Sequence, residues 1–223
     1  PIWDAIAIGL RQASMQAPSN GDDLLIASIT GGSLAADAGN DFVAGQRGRD
    51  RLDGGSGNDR LFGGDGADTL LAGAGDDLLA GGRGSDQYVF SAGWGHDVVD
   101  ELQSSQARMA WWTAPTDDGS ADEIYFDGSI DRANIRATKS NADLVLTHAA
   151  GGDSVVVVGY FNDDPASTGR IESIRFQDGT VWDRTRILAM VSTITGTDGA
   201  DNLVGLSSSS KLYGLGGNDQ LWG

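Results

Sequence analysis

GGSGNDRLFGGDGADTLLAGAGDDLLAGGRGSDQYV, residues 54–89, sets four nine-residue units end to end and decides how the chain is read. The same interval runs outward from it. An apolar residue recurs at every ninth position, at Leu25, Leu34, Val43, Leu52, Leu61, Leu70, Leu79 and Tyr88. An aspartate stands two residues before nearly all of them, at Asp23, Asp41, Asp50, Asp59, Asp68, Asp77 and Asp86, with Gly32 the one gap. Glycine precedes most of those aspartates by two, at Gly21, Gly39, Gly48, Gly57, Gly66, Gly75 and Gly84. A fixed short period predicts a stacked solenoid, in which each unit is stable only against its neighbours.

The residue types add a chemistry to that geometry. Glycine reaches positive φ without steric cost, so six residues can make a tight loop whose carbonyls turn toward one point. The three residues left over in each unit form a very short strand with its apolar side chain inward. One aspartate per loop supplies charge, and carbonyls complete the shell of a hard cation. Calcium takes roughly 6–8 such oxygen ligands. A single G-x-D also reads as a hairpin turn; units repeated in phase favour the cation.

The units GGSGNDRLF (54–62), GGDGADTLL (63–71) and GGRGSDQYV (81–89) resemble the G-G-x-G-x-D-x-U-x nonapeptide of the RTX, or haemolysin-type calcium-binding, repeats. The resemblance implies a parallel β-roll with two units per turn, loops on one side lying eighteen residues apart, and ions sandwiched between successive loops. The implied sharing is Asp23 with Asp41, Asp41 with Asp59 and Asp59 with Asp77 on one side. On the other it is Asp50 with Asp68 and Asp68 with Asp86. The loop glycines Gly39, Gly48, Gly55, Gly57, Gly64, Gly66, Gly73, Gly75, Gly82 and Gly84 complete the implied ligand set. Gly32, with Thr30 at the glycine position, leaves its loop without a carboxylate and its site empty or weak.

The pattern returns as GTDGADNLV (196–204), GLSSSSKLY (205–213) and GLGGNDQLW (214–222), with Leu203, Leu212 and Leu221 at the apolar position. Asp201 and Asp219 form the implied site there, for about six calcium ions in all. Ser208 and Ser210 depart from the motif in the middle unit, whose loop faces the opposite side.

Between the blocks the grammar changes. AGWGHDVVD (92–100) reads as a degenerate repeat displaced by the longer strand Gln87–Ser91; Asp97 either helps close the last site or sits in a capping turn, and His96 reads as a turn residue. Strand-like runs follow at EIYF (123–126), NIRAT (134–138), DLVLTH (143–148), SVVVVGYF (154–161) and IESIRF (171–176), separated by turn chemistry. They predict an antiparallel meander capping the roll. TVWDRTRILAM adds a short strand and a helix begun at Asp183, with Val181, Trp182, Ile187, Leu188 and Val191 as core candidates. The order D-E-I-Y-F-D-G, N-A-D-L-V-L, a valine-rich strand ending G-Y-F, then R-I-E-S-I-R-F-Q-D-G-T-V-W is similar to the haemolysin-type calcium-binding related domain. The insertion LQSSQARMAWWTAPTDDGSA carries Trp111 and Trp112, read as cover for the meander or, in the alternative, as a contact for a sugar or protein. Trp3, Ile6, Leu10, Ala13 and Ala17 fall at helical spacing and predict an end-capping helix.

The expectation is therefore an all-β chain, a parallel β-roll with an interposed antiparallel β capping domain and short terminal helices. Its parts are residues 1–17 (cap or linker), 18–100 (roll), 101–192 (related β domain) and 193–223 (start of a second roll). The net charge of −17, from 32 acidic and 15 basic residues, repels nucleic acid and anionic lipid and attracts cations. There is no cysteine, and no run of the ~18 apolar residues that a membrane helix requires. The chain begins at Pro1 without a cleavable leader and stops just past a completed repeat, so it reads as a piece of a longer protein. No H-E-x-x-H, G-x-S-x-G or P-loop occurs, so no catalytic centre is expected within these residues. A secreted or cell-surface setting follows from magnitudes. Extracellular calcium modules bind at roughly 10⁻⁴–10⁻³ M, so at about 1 mM calcium each site adds roughly 0.4–1.4 kcal/mol. Some six sites rival the ~5–15 kcal/mol of an ordinary domain. Without cations the aligned carboxylates repel and the glycines favour disorder. That matches type I secretion of an unfolded chain, implied by the RTX resemblance, with adjoining enzyme (lipase or protease), toxin or adhesin domains as the expected company.

Overall fold

The computed structural model describes residues 18–101, 120–162, 171–195, 197–204 and 211–222. The helix expected over 1–17 and the Trp111–Trp112 pair lie outside them. Each repeat contributes one strand, alternately to two facing sheets. The first sheet takes β1 (Leu24–Ile26), β3 (Phe42–Arg47), β5 (Arg60–Asp65), β7 (Leu78–Arg83) and β9 (His96–Val99). The second takes β2 (Ser33–Ala35), β4 (Arg51–Asp53), β6 (Thr69–Leu71) and β8 (Gln87–Phe90). All these pairings are parallel, and the register places Leu25 beside Val43, Leu61 and Leu79 in turn, and Leu34 beside Leu52, Leu70 and Tyr88. Because successive strand side chains alternate, this one apolar position points inward in every unit. Leu52, Leu61, Leu70, Leu79 and Tyr88 are fully buried there.

Strand length departs from the three residues expected throughout: β3, β5 and β7 each have six. On this side pairing resumes after one skipped glycine, so Gln46 meets Gly64, and Gly64 meets Gly82. The opposite loops make only isolated bridges, such as Ser56 with Ala38 and Ala74. The longer strands carry Phe62 and Ala80 on their outer face, both buried, with the Phe42 ring tilted against that of Phe62 at 5.4 Å between centroids.

Beyond Glu101 come β10 (Asp122–Phe126), β11 (Ile135–Ser140), β12 (Asp143–His148), β13 (Ser154–Val157), β14 (Ile171–Phe176) and β15 (Val181–Asp183). The antiparallel pairings are there, β11 with β12, β12 with β13 and β14 with β15. The joins to the roll, however, are parallel: β13 lies on β9, β10 on β8, and β14 on β10. Both sheets thus run unbroken from roll to cap, in the orders β1-β3-β5-β7-β9-β13-β12-β11 and β15-β14-β10-β8-β6-β4-β2. A single core runs with them, closed at the cap end by Phe90, Trp94, Phe126, Phe176 and Trp182 with neighbouring rings 4.7–6.0 Å apart.

The strand expected over 154–161 stops at Val157, because Gly159 turns at φ 67° and gives its N–H to Asp143 at 2.7 Å. The expected helix forms as α1 (Arg184–Val191), with the Asp183 carboxylate accepting from Arg186 N–H at 2.8 Å. Of its core candidates Trp182, Ile187 and Val191 are buried, while Val181 and Leu188 are exposed. Each lies one residue from a buried neighbour, which in a strand or a helix turns it off the buried face. In the terminal block β16 (Thr193–Thr195) pairs with β18 (Lys211–Tyr213) and β17 (Asn202–Val204) with β19 (Gln220–Trp222), both parallel. Among the described residues no helix is long and apolar enough to cross a membrane.

Candidate metal centre

The strand register sets the loops of each side directly over one another, and this aligns their aspartates into two rows. In the first row Asp23 N–H donates to Asp41 Oδ1, Asp41 to Asp59, and Asp59 to Asp77, at 2.7–2.8 Å. In the second, Asp50 donates to Asp68, and Asp68 to Asp86, at 2.8 and 2.7 Å. These are the two groups that the resemblance to the RTX repeats implies on opposite sides. Glycine makes the close approach possible: Gly66 turns at φ 149°, and a Cβ there would collide with the Gly48 carbonyl beneath it.

One oxygen of each carboxylate is used in this way. The other is buried and has no hydrogen-bond partner, at Asp41, Asp59, Asp68, Asp77, Asp86 and Asp97. Asp50 leaves both oxygens in that state; the Gly32 N–H faces it without closing into hydrogen-bond geometry. Burying an unpaired carboxylate is costly, and the protein must offset it or neutralise it. Burial accordingly pushes Asp59 and Asp68 up to about 6, Asp77 to about 7, and Asp86 and Asp97 to about 9, against the smaller opposing effect of the ladder N–H groups.

The unpartnered oxygens face spaces of a definite kind. A Cβ placed on Gly54 would lie 2.5 Å from Asp59 Oδ2 and 2.6 Å from the Ala72 carbonyl. A Cβ on Gly63 would meet Asp68 Oδ2 and the Gly81 carbonyl in the same way. Each space is thus walled by a carboxylate oxygen of one loop and a carbonyl of the loop above. Among the described residues no three acidic or histidine side chains converge on one point. A mixture of single carboxylates and backbone carbonyls suits a hard, oxygen-seeking cation and offers nothing to a soft one. The residues fit calcium.

The first loop of each block is built differently. Ser19 N–H and Oγ both reach Asp23 Oδ2, at 2.7 and 2.9 Å, and Thr197 does the same for Asp201, at 2.6 and 3.1 Å. Asp201 N–H in turn donates to Asp219 Oδ1 at 3.1 Å. Outside the first row runs a second ladder of opposite polarity. Asn40 N–H donates to Asp22, Asn58 to Asn40, Asp76 to Asn58 and His96 to Asp76, at 2.8–3.1 Å.

The rows do not end where the nonapeptides end. Asp97 receives the Asp77 N–H at 2.9 Å, so it continues the first row and is not merely a turn residue. Asp122 receives the Asp86 N–H at 2.9 Å, and Glu172 receives that of Asp122 at 2.6 Å. Sequence reading missed the last two. Their signal is an acid two residues before an inward apolar residue, Asp122 before Ile124 and Glu172 before Ile174, with no glycine frame; Asp122 keeps the nine-residue phase at 36 residues from Asp86, while Glu172 falls off it.

Two family models agree with this chemistry. The RTX calcium-binding nonapeptide repeat profile (4 copies) matches residues 30–61, 53–88 and 195–223. The haemolysin-type calcium binding protein related domain matches residues 143–186. The iron-regulated protein FrpA of Neisseria meningitidis serogroup C is 35% identical over 127 residues, 57% of this chain and 10% of that protein. The chain therefore spans about a tenth of that relative. The extracellular lipase LipA of Serratia marcescens aligns over 64% of this chain and 37% of its own, at 19% identity and a TM-score of 0.28.

Proposed function

The chain carries the calcium-binding repeats of the RTX proteins in two blocks, with a haemolysin-type calcium-binding related domain between them, and on that premise we propose that it is a scaffold module of a secreted bacterial protein that folds when it meets extracellular calcium. The observation that carries this reading is the double row of buried carboxylate oxygens left without partners. The proposed ligands are Asp23, Asp41, Asp59 and Asp77 on one side, Asp50, Asp68 and Asp86 on the other, and Asp201 with Asp219 in the terminal block. Carbonyls of the intervening glycine loops complete each shell, for about six ions.

The bound ion supplies the positive charge that the loops lack. The chain's own residues do the rest. Glycines let the loops approach, the ladder N–H groups hold each carboxylate in one orientation, and the inward leucines exclude water from between the sheets. In submicromolar calcium the carboxylates repel one another and the roll stays loose; at about 1 mM it closes. Such a module suits export of an unfolded chain followed by folding outside the cell, beside an enzyme, toxin or adhesin domain of the same polypeptide.

Circular dichroism tests this. In chelator the first block should read mostly as coil, and millimolar calcium should convert it to β structure. Magnesium should not, because it demands tighter octahedral geometry. A spectrum indifferent to calcium overturns the proposal.

A further inference from the structure

Where the second row leaves the nonapeptides, the pattern of its spaces changes. Within the roll, the unpartnered oxygen of one loop faces a carbonyl of the loop eighteen residues on, as Asp68 Oδ2 faces Gly81. Among the described residues the loop of residues 81–86 has no such loop beyond it. Its Asp86 Oδ2 is buried and unpartnered, and a Cβ placed on Gly81 would collide with it. The Gly81 N–H donates to Tyr88 Oη at 2.5 Å and also to a second carboxylate. Glu101 accepts from Gly81 N–H at 3.0 Å and from Gly82 N–H at 3.2 Å, and only 3% of its surface is exposed.

Glu101 belongs to no repeat. It stands twenty residues past Gly81, the same offset that separates Asp97 from Asp77, so it lies at the register of the next turn. Two carboxylates thus approach Gly81, whereas the spaces at Gly54 and Gly63 each have one carboxylate and a carbonyl. Asp122 continues the row beside them on the first strand of the cap, accepting from Asp86 N–H. Burial first, then the charges of Glu101 and Asp122, hold the Asp86 carboxyl far above its ordinary range, at about 9. No lysine or arginine is recorded against either Asp86 or Glu101 among the described residues.

We infer that the junction of roll and cap is a divalent-cation site of its own, in which Asp86 Oδ2 and the Glu101 carboxylate hold one ion between the last loop and the start of the cap. The inference rests on the calcium reading above and adds a ligand that the nonapeptide motif does not contain. Affinity in oxygen sites rises with ligand charge, so this site fills before those inside the roll. Its ion ties the last repeat loop to the segment after β9, and orders Asp86, whose N–H donates to Asp122 at the start of β10.

The test uses the whole chain and calcium chloride. Glu101→Gln keeps the side-chain length and one acceptor but removes the charge. Calorimetric titration should show one tight ion fewer per chain, or that ion weakened roughly tenfold or more, with the remaining sites unchanged. Hydrogen exchange should show β10 losing calcium-dependent protection in the variant. Unchanged stoichiometry and affinity overturn the inference while leaving the calcium reading intact; a wild-type chain that binds no calcium overturns both. Should the variant fail to fold, a calcium-bound crystal structure of the wild-type chain decides. An ion within ~2.3–2.6 Å of Asp86 Oδ2 and a Glu101 oxygen supports the site. Ions in the repeats with none at Glu101 refute it.

Discussion

In chelator, protons should do part of the work of calcium. The carboxylates of the rows have folded pKa values raised by burial, to about 6 at Asp59 and Asp68, about 7 at Asp77 and about 9 at Asp86 and Asp97. In the unfolded chain all of them titrate near 4. The folded state therefore holds more protons than the unfolded one between about pH 4 and 9, and stability falls as pH rises through that window. Asp77 sets the scale. Its rise from about 4 to about 7 corresponds to about 4 kcal/mol at ~1.4 kcal/mol per tenfold in proton affinity, which screening cuts to about 2. Several such groups together match the ~5–15 kcal/mol that holds an ordinary domain. The calcium-free roll should be largely unfolded at pH 8 and recover β structure as pH falls to 5, still above the pI of about 4.2. Saturating calcium should reverse the slope, because ligands must be deprotonated to hold the ion and acid then displaces it. Far-UV circular dichroism from pH 8.5 to 5, with chelator and with millimolar calcium, should give two curves of opposite sign that cross. A chelated chain no more structured at pH 5 than at pH 8 would refute the claim that buried, unpaired carboxylates keep the roll open.

Two further outcomes follow from the loop geometry. Asp59→Ala should cost two bound ions, since its loop lies between those of Asp41 and Asp77, whereas Asp201→Ala should cost one; equal losses by calorimetry would show that loops do not share ions. Gln46 occupies a position usually held by glycine and is forced to φ 116°. Gln46→Gly should stabilise the calcium-bound fold by about 1 kcal/mol after loss of the Nε2 bond to Ala27, raising Tm by about 2–4 °C; a lower Tm would show that this backbone is unstrained.

Most of the roll was legible because its physics is local. A nine-residue interval fixes which side chain points inward, and the eighteen-residue register follows from stacking two units per turn. Leu61, Asp59 and Gly57 announce their roles by spacing alone. Asp122 and Glu172 do not, because neither has a glycine frame: Asp122 meets Asp86 by parallel pairing 36 residues on, past an insertion, and Glu172 meets Asp122 across 50 residues. Only sheet register makes those residues neighbours. Ser19 and Thr197 were equally hidden. A hydroxyl at a glycine position reads as a motif departure, yet in the fold it completes the first carboxylate of each block. The parallel joins of the cap were missed for a related reason: turn-rich spacing suggests hairpins, and the strands β10 and β14 instead extend a sheet already formed.

Those uninterrupted sheets give the molecule a direction under load. The cap end is locked by interleaved aromatic rings that need no ion, while each turn of the roll is held by short strands and its loop contacts. Tension applied from the amino-terminal side should peel the roll one turn at a time. Each eighteen-residue turn would release about 60 Å of chain at ~3.3–3.6 Å per residue, leaving the next turn as the new exposed face. Re-closure would run the opposite way, layer upon layer from the cap outward, with dissolved calcium setting how fast the slack is taken in.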